Sequence, residues 1–184
     1  MSYQGKVLIT HPNCPKDNPF YKSVIFIYQD NPRTGTLGVI DNKPSKYKVQ
    51  DVCAEKNIMY VNPIPHIFHG GPVNPNALIL LHTDEWQSDN TIIVHQGLCI
   101  SSDNVMLEHI SKGKEPKHWR LFGGISGWSP GQLQQELSGK WPYRPENSWL
   151  IADIDADFLF KVPFKSQWNE ACALSGNQMF DQYF

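Results

Sequence analysis

The most constraining feature of this sequence is the apolar run from Ser23 to Gln29, Ser-Val-Ile-Phe-Ile-Tyr-Gln. It is rich in β-branched and aromatic residues, and it lacks the apolar–polar alternation of a strand with one wet face. The run therefore predicts a strand that is covered on both faces. Turn-forming residues from Asp30 to Gly35 follow it, so Thr36–Ile40 is predicted to return as its hairpin partner.

Strand-like and helix-like segments alternate along the rest of the chain without the regular rhythm of a parallel βαβ sheet. Further strands are predicted at Lys6–Thr10, His66–Phe68, Ala77–His82, Thr91–His95, Leu98–Ile100, Trp119–Gly124, Ser148–Ala152 and Phe158–Phe160, with a loop at Lys140–Asn147. Helices are predicted at Val49–Ile58, at Asp103–Lys112 after an N-cap Ser102, after an N-cap Ser129, and from Pro163 to Gly176. A chain of 184 residues can bury about 70% of its surface, which is enough for one core. These features predict a single α+β domain over residues 1–184.

The charge balance limits the kinds of partner that the chain is expected to bind. Sixteen Lys and Arg residues stand against 18 Asp and Glu residues, which gives a net charge of −2. Proteins that grip nucleic acid backbones usually carry a basic excess or a basic stripe. The composition therefore argues against direct DNA binding.

The sequence also bears on cellular location and on the state of the thiols. Its first residues lack the cationic start and apolar stretch of a signal peptide, and the longest apolar run, Val24–Tyr28, is far too short to span a bilayer. We therefore expect a cytoplasmic protein with no membrane segment. The cysteines are widely separated with no C-x-x-C pair, so we expect reduced thiols and no zinc site; they are Cys14, Cys53, Cys99 and Cys172.

Four stretches, in this order, are similar to sequence blocks of the AlgH/YqgE family. Their motifs are F-x-x-S-V with a G-V-I-D-N-K-P ending, G-G-P-V with L-H-T, G-I-S-G-W-S-P-G-Q-L-Q-Q-E, and F-L-F-K-V-P with a following Trp and Ala. They lie at Pro19–Val24 with Leu37–Pro44, Gly70–Val73 with Leu80–Thr83, Gly124–Leu137, and Phe158–Pro163 with Trp168 and Ala171. Ile125 departs from the pattern, because an aromatic residue is usual at its position.

The resemblance implies a specific version of the α+β class. It implies one domain whose bifurcated, largely antiparallel sheet folds into a barrel-like form with flanking helices. It implies no reaction, because no catalytic chemistry is established for the family in general. Some members are described as transcriptional regulators, so the resemblance also implies a regulatory role.

The sequence Gly70-Gly71-Pro72 has two interpretations. One is a bend at the end of a strand, in which Gly supplies a positive φ and Pro fixes the exit of the chain. The other is an anion-binding nest of backbone N–H groups. No helix follows directly and no G-x-x-x-x-G-K-[ST] sequence is present, which favours the bend.

Other candidate residues have both a structural and a functional interpretation, and the functional one involves the helix that is predicted after Ser129. Structural interpretations make Asn42 a turn stabiliser, Trp128 a residue that packs back on the helix, and His82 a strand end that bonds to the Gly-Gly-Pro turn. The functional alternative is a cleft near the helix N-terminus, where free N–H groups and the helix dipole favour an anion. This ligand-binding hypothesis comprises Asn42, Lys43, Gly70, Gly71, His82, Trp128 and Gln132.

The spacing of the histidines argues against a metal site. His66 and His69 lie near His82 and Asp84 in the sequence, but they are three residues apart in a segment that we predict to be extended. Residues three apart on a strand point to opposite faces, so the two rings cannot easily reach one ion. No metal or other cofactor is predicted.

Catalytic chemistry finds little support in the sequence. Gly124-Ile125-Ser126-Gly127 does not have the spacing of a G-x-S-x-G nucleophile elbow. The alternating Asp153, Asp155 and Asp157 lack the Gly turn and distal Glu of a calcium loop, so they predict a solvated strand face or an acidic loop. No catalytic residue is assigned.

The leading hypothesis is a non-enzymatic regulatory protein that acts through a protein partner or a small anionic ligand. The first alternative is a small-molecule sensor or an enzyme that uses a cleft near Gly71 and Trp128. The second alternative is a direct DNA-binding regulator, which the charge balance and the lack of a helix-turn-helix signal oppose.

Overall fold

The structure is a computed structural model that describes residues 2–59, 65–139 and 149–183. Within these ranges the strands are β1 Lys6–Thr10, β2 Val24–Asn31, β3 Gly35–Ile40, β4 Pro44–Lys48, β5 His66–His69, β6 Val73–Thr83, β7 Ile92–His95, β8 Leu98–Ser101, β9 Trp119–Trp128 and β10 Trp149–Asp153. The helices are α1 Val49–Glu55, α2 Asn104–Ser111, α3 Gln132–Leu137, α4 Ala156–Lys161 and α5 Gln167–Tyr183. The predicted loop at Lys140–Asn147 and the predicted first residue of the next strand, Ser148, lie outside the described residues.

The sheet branches at β9, a central strand of ten residues. The main path runs β10-β1-β2-β3-β9-β6-β8-β7, and every pairing along it is antiparallel. The end of β9 pairs with β3 through Ser126–Trp128. The earlier part of β9 forms an antiparallel pair with β6 on one side and a parallel pair with β5 on the other. The β4 strand pairs with β5 in the antiparallel direction.

The sheet curls until strands near its two ends meet. The side chain of Gln4, two residues before β1, donates a hydrogen bond of 3.2 Å to the backbone oxygen of Val94 in β7. A Cβ atom on Gly5 would lie 2.9 Å from the ring of His95, so backbone and ring are in close contact there. The expected bifurcated, largely antiparallel and barrel-like sheet with flanking helices is confirmed.

Strand β2 is covered on both faces, as its apolar run predicts. Val24, Phe26 and Tyr28 belong to the largest core cluster, whereas Ile25 and Ile27 belong to a separate cluster on the opposite face. Successive side chains of a strand point to opposite faces, so one strand serves both clusters. The α5 helix packs over β10, β1 and β2 on the side of the largest cluster.

The prediction of a strand at Phe158–Phe160 is wrong, because these residues lie in α4. The carboxylate of Asp155 accepts a hydrogen bond of 2.8 Å from the backbone N–H of Phe158 and thereby caps the helix. The alternating aspartates therefore do not share a strand face: Asp153 ends β10 and bonds Lys6, whereas Asp157 pairs with Lys161 within α4. The alternating aspartates indicated an extended segment or an acidic loop, but the Asp155 cap begins a helix there.

Three predicted helix boundaries need correction. The N-cap of α2 is Asp103 rather than Ser102, and its side chain accepts from the N–H of Met106. The N-cap of α3 is Gly131 rather than Ser129, because residues from Ser129 form a turn before the helix begins. The last helix, α5, begins at Gln167 and continues through Gly176, where the sequence predicted its end.

The close packing of Gly71 against β9 gives a stability prediction. Gly71 has a φ of +148°, and a Cβ atom there would lie 2.4 Å from the backbone carbon of Ile125. Gly71→Ala is therefore expected to lower the free energy of unfolding by about 1–3 kcal/mol through overpacking. The matched control is Gly176→Ala in α5, which has open space around it and should be stabilising by up to about 1 kcal/mol. Urea unfolding of both variants measures the two effects. Equal changes in unfolding free energy would show that Gly71 does not pack closely against the backbone of Ile125.

Candidate functional site

The seven candidate residues do not surround one cavity. Asn42 and Lys43 line a groove at the end of β3, whereas Gly70 and Gly71 lie in a backbone crossing beneath β9. Of the other three, His82 lies in one hydrogen-bonded cluster, and Trp128 and Gln132 share another at Glu136. None of these three lines that groove.

Gly70 and Gly71 serve close packing between backbones. The N–H of Gly70 donates to the oxygen of Gly123 at 2.9 Å, and its own oxygen accepts from the N–H of Ile40 and the hydroxyl of Ser126. A Cβ atom on Gly70 would lie 2.1 Å from the oxygen of Gly124. Because this donor is already used within the fold, the arrangement fits the bend interpretation of the motif.

His82 is fully buried in β6. The prediction that it bonds to the Gly-Gly-Pro turn is wrong, because its partners are Ser101 and Thr83. Its Nε2 lies 3.0 Å from the hydroxyl of Ser101, and its Nδ1 lies 2.9 Å from the backbone oxygen of Thr83. Because a carbonyl oxygen only accepts, Nδ1 carries the proton and Nε2 accepts from Ser101. Burial lowers the pKa of His82, which keeps the ring neutral. Ser101 is also buried, so this Ser–His contact is closed to a substrate in this conformation.

Trp128 belongs to the core, as its structural interpretation predicts. It is 6% exposed and packs with Leu133 of α3 in the core cluster behind β2. Its indole N–H donates to the carboxylate of Glu136 at 2.9 Å, and the indole of Trp149 donates to the same oxygen at 2.8 Å. Gln132 donates to the other oxygen at 2.9 Å, so Glu136 joins α3 to β9 and β10.

Glu136 is a residue that sequence reasoning missed. Its signal is the four-residue spacing from Gln132, which places both side chains on one face of a helix. The two indole partners come from different strands and carry no local signal in the sequence.

The groove beside Asn42 and Lys43 has a volume of about 530 Å³ and lies between the end of β3 and the start of α5. Three lysines line it and, among the described residues, no carboxylate does; we call it the lysine groove. Its lining residues are Tyr21, Lys22, Asn42, Lys43, Pro44, His69, Phe164, Lys165, Trp168 and Asn169.

Asn42 fixes one wall of the lysine groove. Its side-chain oxygen accepts from the N–H of Val24 at 2.9 Å, and its amide donates to the backbone oxygen of Lys22 at 2.8 Å. Lys22 has a φ of +52°, which is uncommon for a residue other than glycine. Asn42 therefore stabilises the turn, as predicted, and in doing so it places Lys22, whose Nζ lies 5.2 Å from the centre of the Trp168 ring.

Lys43 and Trp168 are also held in place. The Lys43 ammonium donates to the backbone oxygen of Pro19 at 2.7 Å, which leaves protons for a ligand. Burial lowers the pKa of Lys43. The Trp168 indole donates to the backbone oxygen of Thr10 at 2.9 Å, so its ring is a fixed wall.

A buried carboxylate joins the two walls of the lysine groove from behind. Asp41 is fully buried; Arg120 of β9 donates to its carboxylate and, at 3.0 Å, to its backbone oxygen. The side-chain amide of Gln167 in α5 donates to the same carboxylate at 2.7 Å and to the backbone oxygen of Leu159 at 3.0 Å. Burial raises the pKa of Asp41, and the opposing effects of Arg120 and Gln167 only reduce that rise. Asp41 precedes Asn42 and Gln167 precedes Trp168, so this Asp41 cluster fixes both walls.

Similarity to known proteins shows the family of this chain. The sequence profile of the AlgH-like family, DUF179, matches residues 7–180. The chain belongs to the AlgH-like family. UPF0301 proteins of Stenotrophomonas maltophilia and Xanthomonas axonopodis pv. citri are each 32% identical to it over 167 residues, which is 89% of this chain and 85% of theirs.

Solved structures show the same fold. The solution structure of the AlgH protein from Pseudomonas aeruginosa is similar with a TM-score of 0.77 and 26% identity, over 96% of this chain and 90% of that one. A crystal structure of a protein from Corynebacterium diphtheriae has a TM-score of 0.70 and 24% identity over 92% and 85% of the two chains, which shows the fold alone.

Within residues 2–59, 65–139 and 149–183 of this AlgH-like chain, no helix is long and apolar enough to cross a membrane. No group of three or more His, Cys, Asp or Glu residues in those ranges is placed to hold a metal ion. The four cysteines are free thiols.

The burial of Trp128 predicts a large stability effect. Trp128→Ala should lower the free energy of unfolding by about 3–5 kcal/mol, because it opens a cavity in the core. Trp128→Phe keeps much of the ring volume and should cost less, since it mainly removes the hydrogen bond to Glu136. Guanidinium unfolding measures both. A Trp128→Ala variant within about 1 kcal/mol of the parent would place the ring at the surface instead.

The lowered pKa of His82 predicts a pH dependence of stability. Below about pH 6.5 the unfolded chain binds a proton at this position more readily than the folded chain does. His82 therefore reduces stability progressively as the pH falls below that value and has no such effect above it. The fall in unfolding free energy between about pH 7.5 and 5.5 should be smaller in His82→Gln than in the parent. An identical fall in both proteins would contradict the assignment.

Proposed function

We propose that this AlgH-like protein is a non-enzymatic regulatory protein of the cytoplasm that binds a small anionic ligand in the lysine groove. The observation that carries the proposal is the convergence of Lys22, Lys43 and Lys165 on one concavity with no carboxylate among its described lining residues. Opposite charge attracts an anion to such a cleft, and the low-dielectric wall of Trp168 strengthens that attraction.

The shape of the groove supports a ligand with a flat body. A volume of about 530 Å³ lies within the ordinary range of small-molecule sites. The rings of Tyr21 and Trp168 supply apolar surface, while the ammonium groups supply donors. An aromatic phosphate or carboxylate combines these two requirements. A DNA duplex is much larger than this concavity, so the groove favours a small molecule over a nucleic acid.

The positions of the other candidates also support binding over catalysis. The enzyme or sensor alternative relied on Gly71 and Trp128, which serve backbone packing and the core. The buried His82–Ser101 contact offers no path for a substrate. Ligand binding that shifts the turn at Lys22 or the start of α5 would change the surface that a protein partner meets, and this is how we propose that the ligand regulates.

Titration with phenyl phosphate tests the proposal. Two-dimensional ¹H–¹⁵N spectra should show a saturable shift of the Trp168 indole N–H, and benzyl alcohol, which has a ring but no charge, should cause none. Lys165→Met should weaken binding about three- to ten-fold, since the exposed Lys165 loses only its charge. Lys43→Met should weaken it at least as much, because the Lys43 ammonium is half-buried beside the site.

The matched control for this titration is Lys112→Met at the C-cap of α2, which removes an equal charge from outside the groove. It should bind phenyl phosphate as the parent does. Equal weakening by Lys112→Met and Lys165→Met would show that binding depends on the net charge of the protein and not on the position of Lys165 in the groove. No shift of the Trp168 indole with any of the proteins would overturn the proposed site.

A further inference from the structure

A second cavity, of about 580 Å³, lies against β5, β6 and β9, with α1 as one wall. Its apolar surface comes from Val52, Ile67 and Leu78, which pack on the core cluster under α2, and from the half-exposed ring of Tyr47. It shares His69 with the lysine groove but none of the three lysines of that groove. We call it the α1 cavity.

Gly123 keeps the floor of the α1 cavity open. Unlike Gly70, Gly71 and Gly124, it has neither a positive φ nor a steric need for glycine. A Cβ atom on Gly123 would lie 3.7 Å from a methyl group of Ile67, which is ordinary van der Waals contact. A larger side chain would fit the strand and project into the cavity. Glycine in a strand often marks a place where another group approaches closely, and here the free space is what the glycine provides.

A large bulge in β6 forms the rim of the α1 cavity. Val73 pairs with Ile125 and Leu78 pairs with Gly123, so residues 74–77 lie opposite a single residue of β9. Asn74, within the bulge, has a φ of +44°, a left-handed conformation that Asn adopts more readily than most other residues with a side chain. Bulges are enriched beside functional sites.

The charges at the α1 cavity are opposite to those of the lysine groove. Asp51 and Glu55 lie one helical turn apart on α1 and both line the cavity. Lys56 also lines the cavity, but its ammonium donates to the side-chain oxygen of Asn104, 3.4 Å away, and Asn104 is not a lining residue. One oxygen of Asp51 accepts from the N–H of Lys48, which leaves the other oxygen for a ligand.

We propose that the α1 cavity binds a small organic cation with an aromatic or branched aliphatic body. The body lies on Val52, Ile67 and Leu78 above Gly123, and the ammonium group faces Asp51 and Glu55. Charge complementarity selects this occupant, because an anion of the same shape would meet two carboxylates. The site is independent of the lysine groove and of the function proposed for it.

The test uses two probes of similar size and opposite charge, 2-phenylethylammonium and 3-phenylpropionate. In ¹H–¹⁵N spectra of the full chain, the ammonium probe should shift the amide signals of Gly123 and Val52 saturably and leave the Trp168 indole unchanged. The carboxylate probe should not shift Gly123 or Val52. Equal shifts of Gly123 and Val52 with both probes, or no shift at Gly123 with the ammonium probe, would overturn the proposal.

Variants locate the binding and check its charge. Gly123→Val should fill the cavity and remove the shift at Val52, and Gly123→Ala should weaken binding with less risk to folding. Glu55→Gln should weaken binding about two- to five-fold without disturbing the helix cap that Asp51 provides. Gly176→Ala, in the open part of α5, is the control and should bind as the parent does. Unchanged binding in a folded Gly123→Val or Gly123→Ala variant would place the ligand elsewhere.

Discussion

The buried carboxylate of Asp41 is the interaction on which the arrangement of the sheet and the last helix depends. It joins Arg120 of β9 to Gln167 of α5 at the point where β3 ends. Burial of a charge is costly unless it is paired and hydrogen-bonded, so removal of either partner leaves an uncompensated group in the core. Among the described buried atoms, one oxygen of Asp41 and one of Gln167 have no hydrogen-bond partner, which adds to that cost. Despite this cost, the Asp41 hydrogen bonds fix the end of β3 to β9 and to α5.

That junction explains why both proposed sites lie on the same part of the molecule. Arg120 lies on β9 three residues before Gly123, where the strand passes between β5 and β6. The lysine groove opens beside Asp41, and the α1 cavity opens above Gly123. The β4–β5 branch, with His69 at its end, contributes to both. The two cavities therefore adjoin at His69.

The sequence predicts much of the sheet, because its strongest signals are local. The β2–β3 hairpin and the α+β class follow from an apolar run, turn residues and the order of elements, and the bifurcated barrel follows from the resemblance to the AlgH/YqgE family. Phe158–Phe160 was predicted as a strand because apolar residues in a short segment fit both periods, and only the Asp155 cap decides. The Asp41 cluster and the Glu136 contacts join residues distant in sequence, so no local pattern reveals them. The same limit applies to both cavities.

The Asp41 cluster holds α5, and with it one wall of the lysine groove, against the sheet. Native-state hydrogen exchange of Gln167→Met tests this most directly, because the substitution keeps the buried volume and removes the amide that bonds Asp41. We expect the amide protons of α5 to lose more protection than those of β6 and β9. Equal losses in the helix and the sheet, or no loss in α5, would contradict it.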